Sequence, residues 1–147
     1  MSTYLIPKSF NGVAINGTGA IDSQEFKLPF PKVLDRTLVV AGGDLFDFNY
    51  GQGGKLQAAE FPLTMSVQAA TAAALGTAFN NFFGLPPTGF YGMTYTFIAN
   101  IHGSATTKQC QALMLSVDIT EDADWYEAGK TIISEIKVVF KPFGLFV

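Results

Sequence analysis

Charge is scarce in this chain: charged residues fill 14% of its 147 positions, against roughly 25% in ordinary soluble domains. So little charge covers an isolated monomer poorly. Arginine occurs once, at Arg36, no Lys/Arg cluster appears and the net charge is −3, which excludes the basic patches that sequence-specific nucleic-acid binding requires. Cysteine also occurs once, so no internal disulfide can form. Cys110 stands among Gln109, Gln111 and Ala112 on an expected strand, where a small inert thiol is the natural reading. One cysteine and one histidine, His102, cannot build a usual zinc site. No apolar run reaches the roughly 18 residues of a membrane-spanning helix, and Met1-Ser2-Thr3-Tyr4 lacks the basic start and apolar stretch of a signal peptide. Folding in a reducing cytoplasm is expected. Repeats, low-complexity tracts and linkers are missing too, so residues 1–147 read as one domain, a size that hides roughly two thirds of its unfolded surface without staples.

What the chain has in abundance is apolar matter. Hydrophobic residues make up 48%, with fourteen Phe, seven Pro and a mean hydropathy of +0.27. Surplus apolar surface of this kind ends in an interface, and an obligate oligomer is expected.

The hydrophobic pattern changes period once. Phe61, Leu63, Met65 and Val67 alternate with Pro62, Thr64, Ser66 and Gln68, as in a half-buried strand; from Ala69 to about Phe83 the spacing turns helical. Ala72, Leu75, Phe79 and Phe82 form the inward stripe, with Thr71, Asn80 and Asn81 on the other side. Gly84 is expected to close the helix in a left-handed conformation, with Leu85 folded back on the last turn and Pro86-Pro87 preventing continuation.

Before this hinge, Tyr4-Leu5-Ile6, Val13-Ala14-Ile15 and Phe26 to Pro31 are short extended pieces. Asn11-Gly12 and Asn16-Gly17 mark turns between them. Pro29 and Pro31 cannot donate ladder hydrogen bonds, which makes their piece an edge strand or an arm. Leu38-Val39-Val40 and the alternating Phe46, Phe48 and Tyr50 follow, separated by Gly42-Gly43. After the helix come three long strands. Met93, Tyr95, Phe97, Ala99 and Ile101 share one face of the first; Leu113, Leu115, Val117 and Ile119 share one face of the second, reached through a His102-Gly103-Ser104 hairpin. The third, about Thr131 to Lys141, places Ile132, Ile136, Val138 and Phe140 opposite Glu135, Lys137 and Lys141. The sum is a mainly β (α+β) fold: an antiparallel β-sandwich or barrel with one helix packed on it.

Chemistry is hard to place on this frame. Gly51-Gln52-Gly53-Gly54 lacks the lysine and hydroxyl pattern of a phosphate loop, since Leu56 follows Lys55. Asp118, Glu121, Asp122, Asp124 and Glu127 crowd one loop, but Gly129 falls in the wrong place for an EF-hand. His102 could serve a triad only with a serine such as Ser104 or Ser116; it sits at a hairpin tip with no acid near in sequence, and no G-x-S-x-G elbow exists. The chain is therefore expected to be no enzyme and to need no cofactor or metal. Trp125-Tyr126 reads either as an oligomer contact or as an anchor for its own loop.

The order of parts resembles the tail-tube fold of long-tailed bacteriophages. The carrying elements are Phe61-Pro62-Leu63-Thr64-Met65-Ser66-Val67, the Ala-rich helix with Leu75 and Phe79, the Gly84/Pro86 break, the return strand Cys110 to Val117, and the closing Val138-Val139-Phe140-Lys141-Pro142-Phe143-Gly144-Leu145-Phe146. Over roughly residues 36–147 it looks most like the N-terminal ring-forming domain of distal tail proteins. The resemblance implies a hexameric ring around a channel, other tail proteins above and below, and DNA passing through without specific binding, eased by acidic lumen groups. It implies a place in the virion tail after assembly in the host cytoplasm, and no membrane. The sugar-binding-like C-terminal domain that many distal tail proteins add is not present before Val147, which speaks against a host-receptor role and leaves a tail-tube, small baseplate-ring or terminator role open. Subunit-interface candidates are Pro29, Phe30, Pro31, Phe46, Phe48, Trp125, Tyr126 and Phe143. A small β-barrel holding an apolar ligand is the alternative, suggested by the Phe content.

Overall fold

The computed structural model describes residues 4–29, 32–33, 37–39, 45–47, 56–57, 59–119 and 128–147. In chain order its elements are β1 (Tyr4–Phe10), β2 (Val13–Ala14), β3 (Ile21–Ser23), β4 (Phe26–Lys27), β5 (Lys32–Val33), β6 (Thr37–Val39), β7 (Leu45–Asp47), β8 (Leu56–Gln57), β9 (Phe61–Gln68), α1 (Ala72–Phe83), β10 (Thr94–Ile101), β11 (Thr107–Ile119) and β12 (Ile132–Pro142). The described residues form a mainly β fold with one helix, as the pattern predicts.

β10, β11 and β12 form an antiparallel meander. β1 flanks it beside β10 and β9 flanks it beside β12. The sheet then nearly closes into a barrel through one kinked segment: β3 pairs with β9 and β4, three residues on, pairs with β1. Sharing one segment between the two outer strands covers both edges of the sheet, which exposed edges otherwise leave open to aggregation. Two further ladders, β5 with β8 and β6 with β7, are separate from this sheet.

The inside is filled by aromatic rings. Phe61 stacks on Phe26 at 4.7 Å between centroids and on Phe140 at 5.6 Å, and Phe97 meets Phe26, Phe61 and Phe140 edge-on at 5.7, 5.4 and 5.1 Å. Such offset and T-shaped contacts add to the area each ring buries. No charged or polar residue is buried among the described ones. Strand β9 shows why: its strict alternation sends Phe61, Leu63, Met65 and Val67 inward and the polar set outward.

α1 lays Leu75, Phe82 and Phe83 on this core, with Phe82 6.1 Å from Phe10 and 5.5 Å from Phe90. Its start and end depart from expectation. The helix begins at Ala72 because Thr71 accepts a hydrogen bond from the Ala74 N–H, so Thr71 is the N-cap and not an outer-face residue. Gly84 is extended, with φ −74° and ψ 171°, so the left-handed closure does not form and Leu85 stays 72% exposed. Glycine is needed there for space: a Cβ on Gly84 would run into the carbonyl of Asn80. Phe90 N–H closes the helix end by donating to Phe82 O at 3.0 Å.

β-bulges overturn two facial assignments. In β11 the partners run Met114 with Phe140 and then Ser116 with Val139, so Leu115 is an extra residue. Cys110, Ala112 and Met114 therefore face the core, and Leu115 is turned out. In β12, Ile133 pairs with Val67 and Ile136 with Met65, so two residues oppose one. Ile133 is buried and Ile132, expected inside, is 47% exposed. The first long strand also starts one residue later than its pattern, at Thr94, with Met93 exposed in the turn.

Candidate functional site

Of the expected interface residues, two are placed with their side chains. Pro29 is half-buried after β4, and Phe143 is 54% exposed after β12. Phe46 lies on β7, within the β6–β7 ladder. Phe30, Pro31, Phe48, Trp125 and Tyr126 lie outside the described residues, as do Gly51 to Gly54 and Glu121, Asp122, Asp124 and Glu127 of the acidic loop.

Phe143 belongs to a larger arrangement. Beyond Pro142 the backbone stays tied to β11: Phe143 N–H donates to Gln111 O at 2.8 Å, and Gln109 and Val147 exchange two bonds of 3.0 Å. Side chains in this stretch alternate in direction. Phe146 turns inward to Phe26, Phe61 and Phe97, with centroids 5.8, 5.7 and 6.0 Å away. Phe143, Leu145 and Val147 point out, and Leu145 and Val147 are 55% and 76% exposed. A rivet on one side and two backbone ties on the other hold three apolar side chains in water. They border a shallow depression of about 250 Å³ with Thr96, Gln109 and Gln111, in which Gln111 Nε2 donates to Thr96 Oγ1 at 2.7 Å. Lys141 Nζ stands 5.9 Å from the Phe143 ring centroid, within cation–π range. This apolar centre with a polar rim has the anatomy of a contact surface. Sequence reasoning named Phe143 and missed Leu145 and Val147, although their period-two spacing was visible.

The candidate chemical groups are differently placed. His102 Nδ1 is 2.6 Å from Glu25 Oε2, so the histidine does have an acid beside it, brought from 77 residues away and exposed. Ser104 Oγ donates to Thr106 Oγ1 at 3.0 Å and accepts from Thr106 N–H at 3.1 Å, so this hydroxyl is engaged within its own turn. Burial pushes the Cys110 thiol up to about 12, leaving it protonated and unreactive at neutral pH. Asp118 pairs across the sheet with Lys137. No group of three or more His, Cys, Asp or Glu side chains suited to a metal ion occurs among the described residues. No described helix is long and apolar enough to cross a membrane.

Neither family models nor curated proteins nor solved structures give a match to this chain.

Proposed function

We propose that the chain is a structural subunit of a long-tailed bacteriophage tail or tail tip, assembling into a homo-oligomeric, hexameric ring. Other tail proteins would stack above and below, and DNA would pass through the channel without specific binding. The protein would thus reside in the virion tail after assembly in the host cytoplasm. The observation that carries the proposal is the segment from Phe143 to Val147, which is hydrogen-bonded to β11 and exposes three large apolar side chains around the buried Phe146. A surface built this firmly to expose hydrophobic groups suits permanent contact with another subunit.

Two features support the same reading. The β5–β8 and β6–β7 ladders are not hydrogen-bonded into the main sheet, and we take them as further elements able to engage a neighbour. Rings of Phe26, Phe61, Phe97, Phe140 and Phe146 in mutual contact occupy the space where a barrel would hold an apolar ligand, so the ring-forming role is preferred to ligand carriage.

Negative-stain electron microscopy with mass photometry tests the proposal. Rings or short tubes are expected, and Leu145→Asp combined with Phe143→Asp should reduce them to monomers. A wild-type chain that stays monomeric at high concentration and forms no ring would overturn it.

A further inference from the structure

We propose that a cleft on the outside of the barrel, between β1, β10 and the loop that follows β2, binds a small organic anion carrying a hydrogen-bond donor on an apolar body. The cleft holds about 400 Å³ and its surface is mainly apolar, Ile6 and Ala14 contributing to it, with the polar side chains of Lys8, Ser9, Asn16 and Asn100 among its lining. That size and that balance are typical of sites for small molecules. The inference does not depend on ring assembly.

Three polar groups define what would fit. Asn100, paired with Ile6 across the β1–β10 ladder, contributes to the lining, and its Oδ1 is the buried side-chain polar atom left without a hydrogen-bond partner among the described residues. An acceptor shut away from water and unpaired is costly, and a donor from a ligand would satisfy it. Lys8 is the extra residue of the bulge between Pro7 and Ser9. Bulges re-aim side chains, and this ammonium lines the cleft with no ion-pair partner among the described residues. It supplies donors and positive charge only, so its complement is an anion. Ser9 adds a hydroxyl beside it. An N–H or O–H for Asn100 and an anionic group for Lys8, joined by an apolar or aromatic body against Ile6 and Ala14, describe one class of ligand.

The wall opposite is preorganised. Asn16 Nδ2 donates to Pro7 O at 3.0 Å, and Asn16 Oδ1 accepts from Ser23 N–H at 2.8 Å. Ile15 N–H donates to Lys8 O at 2.8 Å. These bonds pin the loop over β1 and keep the cleft's shape without using the side chains of Lys8, Ser9 or Asn100, which lowers the ordering cost of binding.

The test is ligand-observed saturation-transfer NMR on the full chain, which works on rings and monomers alike. The probe is 4-hydroxyphenylacetate, with phenylacetate as the control lacking the donor. Saturable binding in the millimolar range is expected, at least about fivefold tighter for the hydroxylated probe. Lys8→Met should weaken both probes by at least about fivefold, and Asn100→Leu should abolish the preference between them. Thermal melts establish that the variants fold; if Asn100→Leu does not, Ser9→Ala and Lys8→Met carry the test, each expected to weaken binding. Absence of saturable binding, equal affinity for the two probes, or binding unchanged in Lys8→Met would overturn the proposal.

Discussion

Glu25 and His102 meet at 2.6 Å across the joint between β3 and β4 and the turn between β10 and β11. The contact fastens the kinked segment that nearly closes the barrel to the adjacent hairpin, whose backbone is also tied there by His102 N–H donating to Tyr4 O. Both side chains are about half exposed, so solvent screens their attraction. Glu25→Gln should cost less than about 1 kcal/mol in urea unfolding, as exposed contacts of this kind do. A loss of several kcal/mol would mean that the pair, and not the Phe core, holds the barrel shut.

A second polar lock does more. Asn16 has φ 59° and spends both ends of its amide, on Pro7 O and on Ser23 N–H. Asparagine tolerates this left-handed backbone better than alanine does. Asn16→Ala loses the two hydrogen bonds and gains strain, for about 2 kcal/mol, whereas Asn16→Gly loses only the bonds, for about 1 kcal/mol. Chemical denaturation of the two variants should rank them in that order; the reverse order would show that the positive φ at Asn16 strains alanine by nothing measurable, and no loss in either variant would show that neither bond contributes.

Much of this architecture was legible because burial imposes a period. Phe61 to Gln68 could be read residue for residue, since each side chain has one face to choose and the choice alternates. Asn11-Gly12 announced its hairpin because both residues accept positive φ, here 49° and 77°. What failed was local and had a common cause. A bulge adds a residue whose presence no pattern of hydrophobicity reveals, so Leu115 and Ile132 were assigned to the wrong face. Gly84 was read as a residue that needs a special backbone, and the structure uses it for a close approach to Asn80. Glu25 beside His102 was invisible for a different reason: the contact exists only once the barrel has closed. The exposed apolar patch was half legible, through Phe143; the period-two spacing of Leu145 and Val147 became meaningful once Phe146 between them proved to point inward.

The bulge in β12 carries its own test. Glu135 adopts φ 58° there, between Ile133 and Ile136. A branched or long side chain in that conformation is strained by ~1 kcal/mol or more, while glycine is not. Glu135→Gly should therefore be neutral or stabilising by up to about 1 kcal/mol, the opposite of glycine placed elsewhere in a strand. Thermal unfolding checks it, and a clear destabilisation would show that the Glu135 side chain makes a compensating contact.

Cys110 joins burial to reactivity and to pH. Desolvation raises its thiol from 9.0 to about 12 because the core disfavours the thiolate. A maleimide at neutral pH should leave the folded protein unlabelled and label it fully in denaturant. The pH dependence follows in sign. A group that holds its proton more tightly when folded contributes stability that is intact below the unfolded value near 9 and is lost as pH rises from there towards 12. Cys110→Ala removes that titrating group, so its unfolding free energy should decline less than that of wild type between about pH 9 and pH 11. Parallel pH profiles for the two proteins, together with rapid labelling of the folded chain, would show the thiol to be solvent-accessible and the inward face of β11 to be wrongly assigned.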